Sequence, residues 1–290
     1  MASHRQRNDR KSTARNSHAS PAKSQAVQRP AAGAAAAAKP PSRPRPPARG
    51  HDEADWIWGV HPVFAALENP ARTQIRRVVA TPDRARTLAE RFSALKTLEV
   101  ADTQAIARLL PQGAAHQGLA LRAEPPEPRS IEDLGTPAQG FLLMLDQVTD
   151  PQNVGAIFRS AAAFGARGVI VQDRHAPALA GALAKAAAGA VDKIPHARAV
   201  NLSRALEQLE EMGWRAVGLA GEAEDDLETV LDGRPTVIVM GSEGEGLRRL
   251  VREHCDALAR IPMPGGFESL NVSAAAAVAL YAAARATRRG

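Results

Sequence analysis

Phe141-Leu142-Leu143-Met144-Leu145-Asp146-Gln147-Val148-Thr149-Asp150-Pro151-Gln152-Asn153-Val154-Gly155-Ala156-Ile157-Phe158-Arg159-Ser160 holds a strand, a turn and the opening of a helix. The apolar run 141–145 reads as a strand buried on both faces. Asp150 followed by Pro151 is a helix start: a side-chain cap, then a proline whose missing N–H costs nothing in the first turn. From Val154 onward the apolar positions (Val154, Ile157, Phe158, Ala161, Ala162) fall on one helical face, and Gly165 ends the helix.

The same alternation runs outward in both directions. Downstream, strands are expected over 168–171, 215–219, 236–240 and 257–261, and helices over 179–188, 202–212, 247–254 and 271–286. Strands alternating with helices imply a parallel sheet covered on both faces, so the fold class is α/β. Upstream, order begins near Asp55-Trp56-Ile57-Trp58-Gly59. A smaller α/β unit is expected over 53–123, with helices at 62–67, 82–95 and 103–110 and strands at 75–80, 97–100 and 118–122. Glu124-Pro125-Pro126-Glu127-Pro128 then breaks the pattern and opens a polar linker, 124–139, before the large domain, 140–290.

Composition divides the chain differently. Residues 1–50 hold eleven Lys/Arg, seven prolines and one acid (Asp9), and no Leu, Ile, Phe, Trp or Tyr. Such a segment cannot bury enough apolar surface to offset its ordering entropy, so residues 1–52 are expected to be a disordered basic tail. The remaining residues carry 26 basic against 30 acidic side chains, so the overall charge of +6 belongs to the tail. A basic arm on a mildly acidic body points to a polyanionic partner, usually nucleic acid. The single cysteine, Cys255, excludes an intrachain disulfide and a multi-cysteine metal site, and no metal is expected. No apolar run reaches membrane-span length and no secretory core follows Met1. The chain reads as a soluble bacterial cytoplasmic protein without a membrane partner. Organelle import of the tail is the alternative, disfavoured because its prolines oppose an amphipathic helix.

Three strand-to-helix junctions carry polar side chains and bare backbone where open α/β sheets build ligand sites. In the first, Asn153 has the chemistry of a helix cap, whereas Arg159 lies off the apolar face, as a solvated surface arginine also would. In the second, Gly241-Ser242-Glu243-Gly244-Glu245-Gly246 follows a buried strand. Its glycines allow close backbone approach to a ligand, and a flexible turn is the simpler alternative. It lacks the Lys-Ser/Thr ending of a phosphate loop, and its acids would repel phosphate. In the third, Pro262, Pro264, Gly265 and Gly266 shape a loop, Ser269 or Asn271 can cap the last helix, and Ser273 falls in its first turn. Asp146 and Asp173 sit at strand ends, as an acid holding a cofactor ribose would. No Gly-x-Gly-x-x-Gly follows the strand at 141–145, so a dinucleotide-dependent oxidoreductase lacks its phosphate grip.

Taken in order, the segments 145–161, 241–246 and 261–273 resemble the three motifs of the SpoU-type (SPOUT class) RNA 2′-O-ribose methyltransferases. Gly59-Val60-His61-Pro62-Val63 and His116-Gln117-Gly118 resemble that family's small RNA substrate-binding domain. Agreement around 217–223 and 252–256 is nearest to the branch acting on a guanosine of large-subunit ribosomal RNA. The resemblance implies a parallel-sheet fold whose C-terminal segment is threaded into a trefoil knot, a feature no sequence pattern alone would suggest. It also implies S-adenosylmethionine as cofactor, ribosomal RNA as partner and a homodimer with the site near the subunit interface. By the same resemblance, backbone at Gly241, Ile261 and Leu270 surrounds the adenosine. Arg159 is the residue implied to activate the ribose hydroxyl, with Asn153, Glu243, Asn271 and Ser273 lining the site. A transfer-RNA ribose methyltransferase and a non-catalytic RNA-binding protein on the same fold are the alternatives.

Overall fold

The strand β5 (Phe141–Leu145) is the hub of the larger sheet, and all five of its residues are buried. In the computed structural model, which describes residues 55–92, 95 and 97–288, its side chains alternate between two apolar layers. Phe141, Leu143 and Leu145 face one layer and Leu142 and Met144 the other. A strand buried on both sides needs no polar alternation, hence the unbroken apolar run. The basic tail expected over 1–52 lies outside the described residues.

Around β5 the chain forms β6 (Gly168–Gln172), β7 (His196–Ala199), β8 (Arg215–Leu219), β9 (Thr236–Met240) and β10 (Ala257–Ala259). The sheet order is β10-β8-β9-β5-β6-β7, and every pair is parallel. One face is covered by α5 (Pro151–Phe164), α6 (Gly181–Ala187), α8 (Leu227–Val230) and α10 (Val272–Thr287), the other by α7 (Leu202–Glu211) and α9 (Arg249–Glu253). In α5, Asp150 accepts from the Gln152 and Asn153 N–H groups, and Gly165 closes the helix at φ 77°. Gly155 lets α6 come close: a Cβ there would lie 2.5 Å from the Leu183 carbonyl oxygen.

The smaller sheet contains β1 (Trp56–Trp58), β2 (Ile75–Ala80), β3 (Leu98–Val100) and β4 (Leu119–Ala123) in the order β1-β4-β2-β3. Its helices are α1 (Val60–Glu68), α2 (Pro82–Arg91) and α3 (Thr103–Ala107). The two sheets share packing: Ala184 of α6 joins the cluster of Ile57, Val63 and Ala66. Arg72 meets Asp192 at 2.5 Å with both side chains buried, and Asn69 donates to the same carboxylate at 3.1 Å. Removing one partner of such a pair strands a buried charge and costs about 3–5 kcal/mol.

Among the segments that differ from the sequence reading, β1 and the short helix α8 at Leu227–Val230 are not expected from it, and three others have a clear physical reason. The polar stretch before residue 140 contains a helix, α4 (Ile131–Gly135), whose Ser130 cap accepts from Asp133 N–H at 3.0 Å. Its two apolar residues, Ile131 and Leu134, sit one turn apart and sink into the second layer. Strand β7 has no apolar alternation and exists because β6 offers it a parallel partner. Helix α9 begins at Arg249 rather than Leu247, because Arg248 is held in extended backbone by Asp146. No helix among the described residues is long and apolar enough to cross a membrane.

Candidate active site

The loop after β9 folds back on itself. Ser242 pairs with Gly246, whose N–H donates to the Ser242 carbonyl at 3.0 Å. A Cβ on Gly241 would lie 2.1 Å from the Gly246 carbonyl carbon and oxygen. The loop's own backbone therefore already demands a glycine here, independently of the ligand approach that the sequence suggested. The tight return leaves Glu243 at the tip, beside the first turn of α10.

There Glu243 organises a polar knot of side chains. Its Oε1 accepts from Asn271 Nδ2 at 2.8 Å, from the Val272 N–H at 3.0 Å and from Asn153 Nδ2 at 3.4 Å. Asn271 Nδ2 also donates to Asn153 Oδ1 at 3.0 Å. Asn271 Oδ1 caps α10, accepting from the Ser273 N–H at 2.9 Å and the Ser273 hydroxyl at 2.5 Å. A carboxylate at the start of a 16-residue helix also gains from the helix dipole. Asn153, Glu243, Asn271 and Ser273 are thus brought into one hydrogen-bonded group from three distant segments.

Beside this group opens a cleft of about 610 Å³ at the carboxyl ends of β8, β9 and β10, with Gly241, Glu243, Ile261, Leu270 and Asn271 in its wall. The end of β8 and the loop after it, Leu219 to Glu222, form a further wall; the sequence reading uses this segment only for its resemblance and not as part of the site, although β8 ends at the same sheet edge. Four carboxylates line the cleft (Glu222, Glu243, Glu245, Glu268) against Arg252 and Arg260. Both arginines are engaged, Arg252 with Glu222 and Arg260 with Asp226 at 2.9 Å. The hydrogen bond from Arg252 holds the Glu222 carboxyl below the ordinary range. Such a lining favours a cationic ligand with apolar parts and disfavours a polyphosphate.

Arg159 stands apart. It is exposed, does not line the cleft, and borders a second groove with His61 and Lys193. Six residues beyond Asn153, it lies about 9 Å further along α5. Asp146 does not serve as a ribose-binding acid: wholly buried, it holds Arg248 through Nε at 2.7 Å and the backbone N–H at 2.9 Å. Asp173 lies 3.9 Å from Arg198. Cys255 is no nucleophile, since burial, with Asp256 and Asp146 nearby, pushes its thiol up to about 12. No group of three or more His, Cys, Asp or Glu able to hold a metal occurs among the described residues.

Fold and cleft define a parallel α/β protein with a ligand site beyond the carboxyl ends of its strands. Residues 140–281 match the SpoU rRNA methylase family, and residues 56–129 match the RNA 2′-O ribose methyltransferase substrate-binding family. The chain belongs to the SpoU rRNA methylase family. It is 43% identical over 241 residues to the 23S rRNA (guanosine-2′-O-)-methyltransferase RlmB of Xylella fastidiosa, covering 79% of this chain and 96% of that one. An uncharacterized tRNA/rRNA methyltransferase of a Mycobacterium species is 38% identical over 265 residues, covering 88% of this chain and 83% of the relative. The crystal structure of an AdoMet-bound rRNA methyltransferase from Sinorhizobium meliloti superposes with a TM-score of 0.68 at 28% identity, covering 79% and 86% of the two chains.

Proposed function

We propose that this protein methylates a ribose 2′-hydroxyl of RNA from S-adenosylmethionine, its target a guanosine of 23S ribosomal RNA. The observation that carries the reading is the Asn153–Glu243–Asn271 network standing at the wall of an acid-lined, phosphate-averse cleft. A cofactor bearing a sulfonium and an ammonium group fits that lining, and the rRNA methyltransferase from Sinorhizobium meliloti binds AdoMet in its crystal structure. The substrate follows the RlmB relative. The Mycobacterium relative, whose name admits transfer RNA, keeps that substrate as the second reading.

Gly241, Ile261 and Leu270 would hold the cofactor, which supplies an electrophilic methyl group when bound. Asn153, Glu243, Asn271 and Ser273 keep the site's polar edge rigid, so that the hydroxyl is presented in one orientation. Arg159 is assigned to the developing alkoxide. Arginine stays protonated, so its part is electrostatic, and the hydroxyl proton leaves to a phosphate or to water.

The finer architecture belongs to the same proposal. It comprises a basic tail at 1–52, a substrate domain at 53–123, a connection at 124–139 and a methyltransferase domain at 140–290 with a knotted C-terminal segment. It also comprises a cytoplasmic location and a homodimer. Exposed Val278 and Tyr281 on α10 support the dimer, being apolar groups that a second copy would cover. Incubating the purified protein with 23S ribosomal RNA and labelled S-adenosylmethionine, then mapping 2′-O-methylation by primer extension, tests the reading. A single modified guanosine is expected, and failure to bind the cofactor would overturn it.

A further inference from the structure

The second groove, about 500 Å³ in volume, is lined by His61 of α1, Arg159 of α5 and Lys193, over a floor of alanines from α5, α6 and the turn after α6. It lies where the small sheet's first helix meets the large domain: a Cβ on Gly189 would stand 3.1 Å from the His61 carbonyl oxygen. His61, Arg159 and Lys193 are all exposed. No acidic side chain lines the groove among the described residues. Asp192, the acid next to Lys193 in sequence, is occupied by Arg72 and Asn69 and does not border it. The contrast with the cleft is sharp in charge: carboxylates predominate there, and only basic or neutral donors are found here.

We infer that His61 and Lys193, flanking Arg159, bind the RNA backbone phosphate attached to the target ribose. The inference rests on the methyltransferase reading for the placement of Arg159 at the 2′-hydroxyl. On one sugar the 2′-oxygen and the 3′-phosphate sit on adjacent carbons. A guanidinium that reaches the first therefore brings the second within reach of donors beside it. The alanine floor removes the side chains that would hold a sugar–phosphate chain away from the helices. One donor comes from α1, beside the small sheet, and one from the turn after α6, so bound RNA would be held by both together. Phosphate contacts of this kind set register and add no choice of base.

Lys193→Ala, Lys193→Glu, Lys193→Arg and His61→Ala in the full-length protein test this, because all replace exposed side chains. Binding of a 23S ribosomal RNA fragment is measured across a salt series, with steady-state methylation alongside. Lys193→Ala and His61→Ala should raise KM for RNA several-fold while kcat and S-adenosylmethionine affinity hold. Losing the lysine contact should flatten the slope of log affinity against log salt by about 0.7. Lys193→Arg should restore the slope and Lys193→Glu should weaken binding further. An unchanged KM and slope in Lys193→Ala would overturn the inference. So would a change of oligomeric state in Lys193→Glu with the salt slope intact, which would make the groove a contact between copies. The slope is read without turnover, so it decides the groove separately. A protein that shows this slope but transfers no methyl group would refute only the reading of the activity.

Discussion

Asn271 Nδ2 lies 2.8 Å from Glu243 Oε1, and the same oxygen accepts the Val272 N–H at 3.0 Å, so one carboxylate ties the loop after β9 to the first turn of α10. Asn271 meanwhile caps that turn through Oδ1. The two roles separate in Asn271→Asp, which keeps the capping acceptor, loses the donor and sets a second negative charge against Glu243. The cap itself should be kept, since Asp and Asn cap equally well, so any loss of stability comes from the lost donor and the repulsion against Glu243. Cofactor affinity and methyl transfer should fall steeply. Asn271→Ala should instead lose about 1 kcal/mol of stability with the cap. Calorimetric unfolding together with a cofactor titration distinguishes them, and full turnover by the Asp variant would remove the network from the mechanism.

Gly241→Ala should abolish cofactor binding, because the added Cβ would meet backbone at Gly246 rather than a side chain that can rotate away. Gly244 offers the comparison. Nothing lies within 4 Å of a Cβ there, but its φ of 87° strains any other residue by about 1–2 kcal/mol. Gly244→Ala should therefore bind with modest loss. Equal affinities for the two variants, by titration calorimetry, would show that the loop's return is irrelevant to the cleft.

Arg159→Ala should eliminate methyl transfer and leave S-adenosylmethionine affinity within several-fold, since Arg159 borders the second groove and not the cleft. Single-turnover assays on ribosomal RNA measure the first effect and equilibrium dialysis the second. Near-normal turnover would detach Arg159 from the chemistry.

His196 is 2% exposed, and burial, then Arg198 and Arg72, push its imidazole down to about 4. The unfolded chain takes up this proton near pH 6.5, so it binds more protons than the folded chain between that value and about 4. Stability from this residue is full above pH 6.5 and drains away as pH falls toward 4, by about 3 kcal/mol in all. His196→Gln, which does not titrate there, should lose less stability than wild type between pH 7.5 and 4.5 in urea unfolding. Parallel curves for the two proteins would contradict the assignment.

The large sheet was readable because strands buried on both faces are unbroken apolar runs, as at 141–145 and 236–240. Strand β7 was not, since His196–Ala199 has no pattern of its own and is strand only by pairing with β6. Helix α4 hid in a polar stretch because Ile131 and Leu134 are its only large apolar residues. At the site, side-chain chemistry marked Asn153, Glu243 and Asn271 individually. Their meeting depends on loop closures 90 and 118 residues long, which local pattern does not encode. The opposite lesson comes from Asp146, whose place at a strand end suited a ligand acid until Arg248 proved to be its partner.

The tail separates charge from fold. Its eleven Lys/Arg against one acid should add RNA affinity without adding target choice, because phosphate contacts by basic side chains release counterions regardless of sequence. Deleting residues 1–50 should leave the same modified nucleotide, mapped by primer extension, since the cleft and the groove both lie downstream. RNA affinity should fall, and most at low salt, where screening is least. The dependence on salt should flatten beyond the change produced by Lys193→Ala, because more phosphate contacts are removed at once. Filter binding of one RNA fragment between low and physiological ionic strength measures this. Equal affinity of the truncated and full-length chains across that range would leave the tail with no part in RNA binding.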